Sequence, residues 1–312
     1  MMKIVFFGLG SIGQRHAKIL LENYSHDLYA FRSGIKDTSN ELGIKELHSW
    51  NEVEKIKPDI AFITNPTSLH IETAIKCAKL GCKLFIEKPI GKDLEGLDKL
   101  IEIVRSKNLV TYIAYNRRFH PVIIYLKDFL KNKNPLHVRV VNTSFYPNWR
   151  EGRNHLEVYS AKKAMGGGVI LDLSHEIDCV AYLLGEVQEI KGSFSKRGEV
   201  TLDSEDFVDM IVEANNIPVS IHINIISQIS QWYIQIEFSN LSIMANLATG
   251  EVSEFRDEKL EKTFSLDYDR NQTFKDQIKY FFNNIDNLKI MNNLIEAESL
   301  FRKIIEFKNI NE

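Results

Sequence analysis

Two rhythms of apolar residues alternate over the first third of the chain. Residues 3–8 carry Ile4, Val5, Phe6 and Phe7 without a polar interruption. Such a run suits a strand buried on both faces of a parallel sheet. Residues 12–23 then place Ile12, His16, Ile19 and Leu20 on one helical face. The pattern repeats, with strands expected at 27–32, 59–64, 83–86 and 110–114 and helices at 51–57, 69–79 and 94–107. Gly81 sits just past one helix, where a left-handed residue ends a helix well. Strand–helix alternation with short connections specifies βαβ units.

After residue 118 the rhythm changes. Strands are expected at 137–146, 189–197, 206–214, 218–227, 231–239 and 241–247, with few helices between them. Val219, Ile221, Ile223 and Ile225 alternate with Ser220, His222 and Asn224. One apolar and one polar face is the signature of an antiparallel or mixed sheet. Helical spacing returns at 274–284 and 292–307. The expected fold class is α/β, with a doubly wound domain over residues 1–118 and an α+β domain with a large mixed or antiparallel sheet over 119–312.

Composition adds boundaries. The 312 residues include 39 Lys+Arg against 42 Asp+Glu, a net charge of −3, and 44% hydrophobic residues. That is enough apolar material for a sizeable core, with no basic footprint for nucleic acid and no polybasic signal for a membrane. No apolar run approaches the roughly 20 residues of a membrane span. Cys77, Cys82 and Cys179 are odd in number and lack zinc-ligand spacing, so buried thiols in a reducing cytoplasm are expected. No metal site is expected, because the histidines show no paired ligand spacing.

The chemistry starts at Gly8-Leu9-Gly10-Ser11-Ile12-Gly13, which fits G-x-G-x-x-G. It follows a buried strand and opens a helix, the context that makes this pattern a dinucleotide fingerprint, and hence a Rossmann domain. Gly8 allows the tight turn, Gly10 lets a pyrophosphate approach the backbone, and Gly13 lets the helix pack on the strand. Ser11 and Ile12 open the helix whose N–H groups and dipole favour the anion. At the end of the second strand stand Arg32 and Ser33, with no carboxylate at the tip. A guanidinium and a hydroxyl suit a 2′-phosphate, so NADP(H) is expected over NAD(H), a solvated arginine without selectivity being the alternative.

Thr64, Asn65, Pro66 and His70 lie beyond the third strand of this series, where open α/β sheets bind ligands. Thr67 and Ser68 there serve equally well as helix caps. Glu87-Lys88-Pro89 follows the next strand and points Lys88 toward a substrate hydroxyl, or makes it an ordinary surface lysine.

Together these residues resemble the Gfo/Idh/MocA family, named for glucose–fructose oxidoreductase and inositol dehydrogenase. The glycine motif, Glu87-Lys88-Pro89, the segment from Asn116 to Pro121 and the segment from Gly166 to Asp178 occur in the family's order. The Trp149-Arg150-x-x-Arg153 and Tyr159-Ser160-Ala161-Lys162 stretches resemble a branch associated with surface polysaccharides and nucleotide sugars. The resemblance implies a pyridine-nucleotide oxidoreductase acting on a sugar-type substrate. It maps the family lysine onto Lys88, which binds the reacting oxygen, and the family histidine onto His175 as general base. Asp172 is the implied helper of His175, with two residues between them rather than the three of many relatives, and Asp178 is a competing partner. Glu87 and Lys88 border the cofactor.

Asn116 and Arg118 lead toward the substrate; Arg118 is either a sugar or phosphate anchor or an interdomain salt bridge. Tyr146, Trp149, Arg150, Arg153 and Tyr159 combine planar donors and aromatic faces suited to a sugar nucleotide. The resemblance further implies a homodimer or homotetramer through the second sheet, whose polar face carries His222, Asn224, Tyr233 and Gln235. A non-catalytic sensor of the same fold, or an internal-redox enzyme with a retained nucleotide, are the alternatives.

Overall fold

A computed structural model describes residues 1–32, 40–149, 161–199 and 202–311. The chain divides into two compact units, one of residues 1–115 and 274–299, the other of residues 116–273 and 300–312.

The first unit holds six parallel strands: β1 (Lys3–Phe7), β2 (Asp27–Phe31), β3 (Lys45–Leu47), β4 (Ile60–Ile63), β5 (Lys83–Glu87) and β6 (Thr111–Ala114). Their order across the sheet is β3-β2-β1-β4-β5-β6. The order reverses between β1 and β4, so the crevice beyond their C-terminal ends is the place where such sheets take ligands. The helices are α1 (Ser11–Asn23), α2 (Trp50–Ile56), α3 (His70–Lys79) and α4 (Leu97–Ser106). Phe6, Phe62 and Phe85 are fully buried on neighbouring strands. The Phe6 and Phe62 ring centroids lie 4.9 Å apart, and those of Phe62 and Phe85 4.4 Å apart. The continuous apolar runs therefore record a sheet covered on both faces. The helix expected from residue 94 starts at Leu97 instead, because Gly96 takes a left-handed φ of 78°.

The second unit adds α5 (Pro121–Phe129), β7 (His137–Phe145), α6 (Val169–Asp172), α7 (His175–Leu184), β8 (Val187–Ser195), β9 (Phe207–Ala214), β10 (Ile217–Asn224), β11 (Ile226–Glu237), β12 (Ser242–Asn246), β13 (Glu251–Arg256) and β14 (Lys259–Ser265). Its eight strands run in the order β14-β13-β12-β11-β7-β10-β9-β8. The β10–β7 pair is parallel and the others are antiparallel, which makes the sheet mixed.

The last two helices, α8 (Arg270–Asn283) and α9 (Leu294–Asn311), each cross a unit boundary. The expected division at residue 118 thus differs from the structure in two respects. Asn116–Arg118 group with the second unit, and residues 274–299 return to the first. Packing explains the return: Phe281 of α8 is fully buried, 5.4 Å from Phe85 across ring centroids. No helix of the described residues is long and apolar enough to cross a membrane.

Candidate functional site

The turn between β1 and α1 needs its glycines for three separate reasons. Gly8 has φ +105°, and a Cβ there would stand 2.8 Å from the backbone of Asn65 and Thr64. A Cβ on Gly13 would stand 2.1 Å from the Gly8 carbonyl oxygen. Gly10 is different: a Cβ on it would meet nothing within 4 Å. The space over Gly10 is a cradle that a side chain would fill. Gly10 also caps α1 without a side-chain hydrogen bond, and the first turn of α1 carries no acidic residue. Ser11, Ile12 and Gly13 therefore present their N–H groups without competition from a local carboxylate. This arrangement fits a dinucleotide pyrophosphate.

Arg32 follows β2 directly. Its Nη1 donates to Glu46 Oε1 at 2.8 Å, so a carboxylate does stand at this tip, brought from β3. Ser33 lies outside the described residues.

The loop after β4 buttresses the glycine turn. Thr64 Oγ1 donates to the Gly8 carbonyl at 2.6 Å, and Asn65 Nδ2 donates to Thr73 Oγ1 at 2.9 Å. Pro66 precedes a short 3₁₀ turn, Thr67–Leu69, that leads into α3. His70, expected along the cofactor, is 2% exposed. Its Nδ1 lies 2.8 Å from the Pro89 carbonyl and its Nε2 2.9 Å from the Asn65 carbonyl. Burial pushes this imidazole below its usual range, and the neutral ring has one N–H to give to the two carbonyls. His70 thus ties the loop after β4 to the Lys88–Pro89 segment, whose peptide bond is cis.

Glu87 ends β5 and turns inward. Its Oε1 lies 2.7 Å from Nε2 of His16, a fully buried residue of α1. Its other oxygen accepts from the Lys88 N–H at 3.3 Å. Glu87 therefore anchors the backbone of Lys88, and the half-buried Lys88 emerges at the C-terminal end of β5, the strand between β4 and β6.

In the second unit, Asp172 ends α6 and His175 begins α7, with a turn at Leu173–Ser174 between them. The helical segment is therefore interrupted between the two side chains. Asp172 and His175 are 9% and 8% exposed. Glycine shapes the approach to this segment. Gly168 has φ +113°, and a Cβ there would stand 2.3 Å from Glu205 Oε1. The Ile170 N–H, at the start of α6, points to that same oxygen at 3.3 Å. Burial pushes the Glu205 carboxyl up; nearby Lys308 acts against that and Asp172 adds to it.

The residues after His175 are clamped by two arginines. Arg118, 6% exposed, donates through Nη2 and Nε to the two oxygens of Asp178 at 2.7 and 3.0 Å. Arg118 is thus in an ion pair within its own unit. Glu176 accepts from Arg117 and from Asn142 Nδ2. The Arg117 guanidinium also sits 4.4 Å from the centre of the Trp232 ring. Asn116 donates to Thr273 Oγ1 at 2.7 Å. Removing one member of such a buried pair leaves its partner's charge uncompensated, which costs about 3–5 kcal/mol. The clamp therefore fixes α7, and with it the backbone of His175.

Tyr146 is 2% exposed, and its ring centroid is 5.2 Å from that of Trp149, whose Nε1 donates to Ser144 Oγ at 2.9 Å. Arg150, Arg153 and Tyr159 lie outside the described residues. Cys77, Cys82 and Cys179 are buried free thiols. His16, Arg117, Glu176 and Glu205 are the site-building residues that spacing did not single out. His16 occupies an apolar position of its helix, and Glu205 lies in a polar run without periodicity.

Comparison with known proteins places this geometry in a family. Residues 2–115 match the model of an oxidoreductase family with an NAD-binding Rossmann fold, and residues 126–243 match the GFO/IDH/MocA C-terminal domain. Myo-inositol 2-dehydrogenase of Thermotoga maritima is 27% identical over 214 residues, 65% of this chain and 60% of that protein. The NAD(+)-dependent scyllo-inositol 2-dehydrogenase of Bacillus subtilis is 26% identical over 203 residues, 61% of this chain and 56% of that protein. Among solved structures, a levoglucosan dehydrogenase in complex with NADH superposes with a TM-score of 0.84 at 17% identity, covering 99% of this chain and 98% of that one. UDP-N-acetylglucosamine 3-dehydrogenase from Acidithiobacillus ferrooxidans gives 0.79 at 18% identity, covering 100% and 98%. At such identities the likeness is one of fold. Both domain models match in chain order, and they meet a glycine turn built for a dinucleotide; the chain belongs to the Gfo/Idh/MocA oxidoreductase family.

Proposed function

We propose that this protein is an NAD(P)-dependent dehydrogenase or reductase acting at a hydroxyl or carbonyl carbon of a sugar-type substrate, within a branch that handles nucleotide sugars of surface-polysaccharide metabolism. The observation that carries this reading is the glycine turn after β1. Gly8 and Gly13 have no room for a Cβ, while Gly10 faces open space at the sheet's point of reversal. The inositol, levoglucosan and nucleotide-sugar dehydrogenases among its relatives support the substrate class.

The bound nicotinamide supplies the hydride acceptor or donor. The chain supplies position and proton transfer. The Lys88 ammonium donates a hydrogen bond to the reacting oxygen and stabilises charge that develops there. His175 takes the hydroxyl proton on oxidation and returns it on reduction, with Asp172 supporting it. Tyr146 and Trp149, with Arg150, Arg153 and Tyr159, bind the rest of the substrate. Homo-oligomerisation through the second sheet belongs to the same reading.

The direct test is turnover of a panel of polyols, free sugars and nucleotide sugars with NAD+ and NADP+, followed at the reduced-nicotinamide absorbance. Lys88→Ala is expected to lower kcat by about 10²–10⁴-fold, the range for losing one acid–base or electrostatic group. Full turnover by that variant would overturn the assignment.

A further inference from the structure

The β2 tip has the chemistry for reading the adenosine ribose, and it is not built from β2 alone. Arg32 and Leu47 are joined by a backbone hydrogen bond of 2.9 Å, which sets the end of β3 beside the end of β2. The carboxylate of Glu46 is therefore carried to the same edge as the Arg32 guanidinium. Their side chains are 14% and 21% exposed, so solvent screens them only in part.

Glu46 Oε1 is the hub of this cluster. It accepts from Arg32 Nη1 at 2.8 Å, from Asn40 Nδ2 at 2.9 Å and from the Asn40 N–H at 3.0 Å. Asn40 is held in turn, donating to the Ile44 carbonyl at 2.7 Å and accepting from the Ile44 N–H at 3.1 Å. The second oxygen, Oε2, lies 3.8 Å from Nε2 of His48, whose Nδ1 sits 3.0 Å from the Arg32 carbonyl. The Asn40 side-chain amide, and then Arg32, hold the Glu46 carboxyl below the usual carboxylate range, so it is charged at neutral pH.

We infer that Glu46 sets the coenzyme preference of this protein, neutralising Arg32 and directing the site to NAD(H) rather than NADP(H). This rests on the dinucleotide-binding reading of the glycine turn. Sequence alone pointed the other way, because Arg32 stands without a neighbouring acid in the chain. Once Glu46 is paired with it, the guanidinium's charge is no longer in surplus. A 2′-phosphate brings nearly two negative charges, and it meets a carboxylate already holding the arginine. A ribose 2′-hydroxyl brings a donor, which a carboxylate oxygen accepts. The acid that dinucleotide sites usually place at the end of β2 is here supplied from β3.

The test is direct binding of NAD+ and of NADP+ to the purified protein by isothermal titration calorimetry. The wild type is expected to bind NAD+ more tightly. Glu46→Gln keeps the shape and the hydrogen bonds to Arg32 and removes the charge. It is expected to shift the ratio of the two dissociation constants by about tenfold toward NADP+. Adding Arg32→Ala to that variant is expected to erase the shift. A wild type that prefers NADP+, or an unchanged ratio in Glu46→Gln, would overturn the inference. If neither nucleotide binds the wild type, the dinucleotide reading itself falls, and this inference with it. The wild-type ratio does not depend on how well any variant folds.

Discussion

Gly10 and Gly13 stand three residues apart in one motif, yet they answer to different forces. Gly13 is required by packing, since a methyl there would collide with the Gly8 carbonyl at 2.1 Å, and backbone cannot swing aside as a flexible side chain does. Gly10 has φ −66°, ordinary for any residue, and open space above it. Only a ligand gives that position a reason to be glycine. Gly10→Ala is therefore expected to leave the melting temperature within about 2 °C of wild type while weakening dinucleotide binding by about tenfold or more. Gly13→Ala is expected to lower the melting temperature clearly, by the several degrees that 1–3 kcal/mol of overpacking produces. Differential scanning calorimetry paired with a nucleotide titration separates the two. Equal binding by Gly10→Ala and wild type would remove the main support for the cradle.

At the level of elements, α5 shows how one histidine fastens a helix. His120 caps it: Nδ1 accepts from the Val122 N–H at 3.2 Å, and Nε2 faces the Leu247 carbonyl at 2.9 Å. This pattern needs the neutral ring with its proton on Nε2. Burial, with a smaller contribution from Arg117, pushes His120 down to about 4. The folded state therefore takes up a proton less readily than the unfolded chain. The stability that the neutral ring contributes is complete above pH ~6.5 and is lost as the pH falls toward ~4. Urea unfolding at pH 7 and pH 4.5 is expected to show a loss of about 2–3 kcal/mol in the wild type that His120→Asn lacks, since asparagine caps without titrating. An identical pH dependence in the two proteins would contradict this role.

On the scale of the whole molecule, β9 of the second sheet turns one face outward among the described residues. Burial alternates strictly there, and Ile211 on the outward side is 58% exposed. His222 Nδ1 and Asp209 Oδ1, 2.6 Å apart, lie on the same face, as do Arg139 and Tyr233. In the proposed assembly a second copy of the chain covers this isoleucine and the polar groups around it. Light scattering is expected to give a dimer or tetramer, and Ile211→Asp to shift it toward monomer. A monomeric wild type at micromolar concentration would contradict the proposed assembly.

Parallel strands buried on both faces, the glycine turn and the order of βαβ units were legible in the chain, because each is a local pattern imposed by the period of its element. The mixed sheet was legible in its alternating strands. Its outer hairpin, β13–β14, was not. Charged residues cover that edge, and its turn at Asp257–Glu258 takes two positive φ values without a glycine to signal them.

The site followed the same division. Gly8, Gly10 and Gly13 announce themselves, since their spacing after a buried strand lies within six residues of chain, although the backbone that Gly8 must clear belongs to Thr64 and Asn65. Glu46 beside Arg32, His16 beside Glu87, Glu205 over Gly168 and the two-arginine clamp on α7 join residues 14 to 71 positions apart. No spacing rule encodes such pairs. Local sequence determines which elements form and where a phosphate is welcome. Which charge meets which is decided only when strands align and helices dock, because a Coulomb pair depends on distance in space and not along the chain.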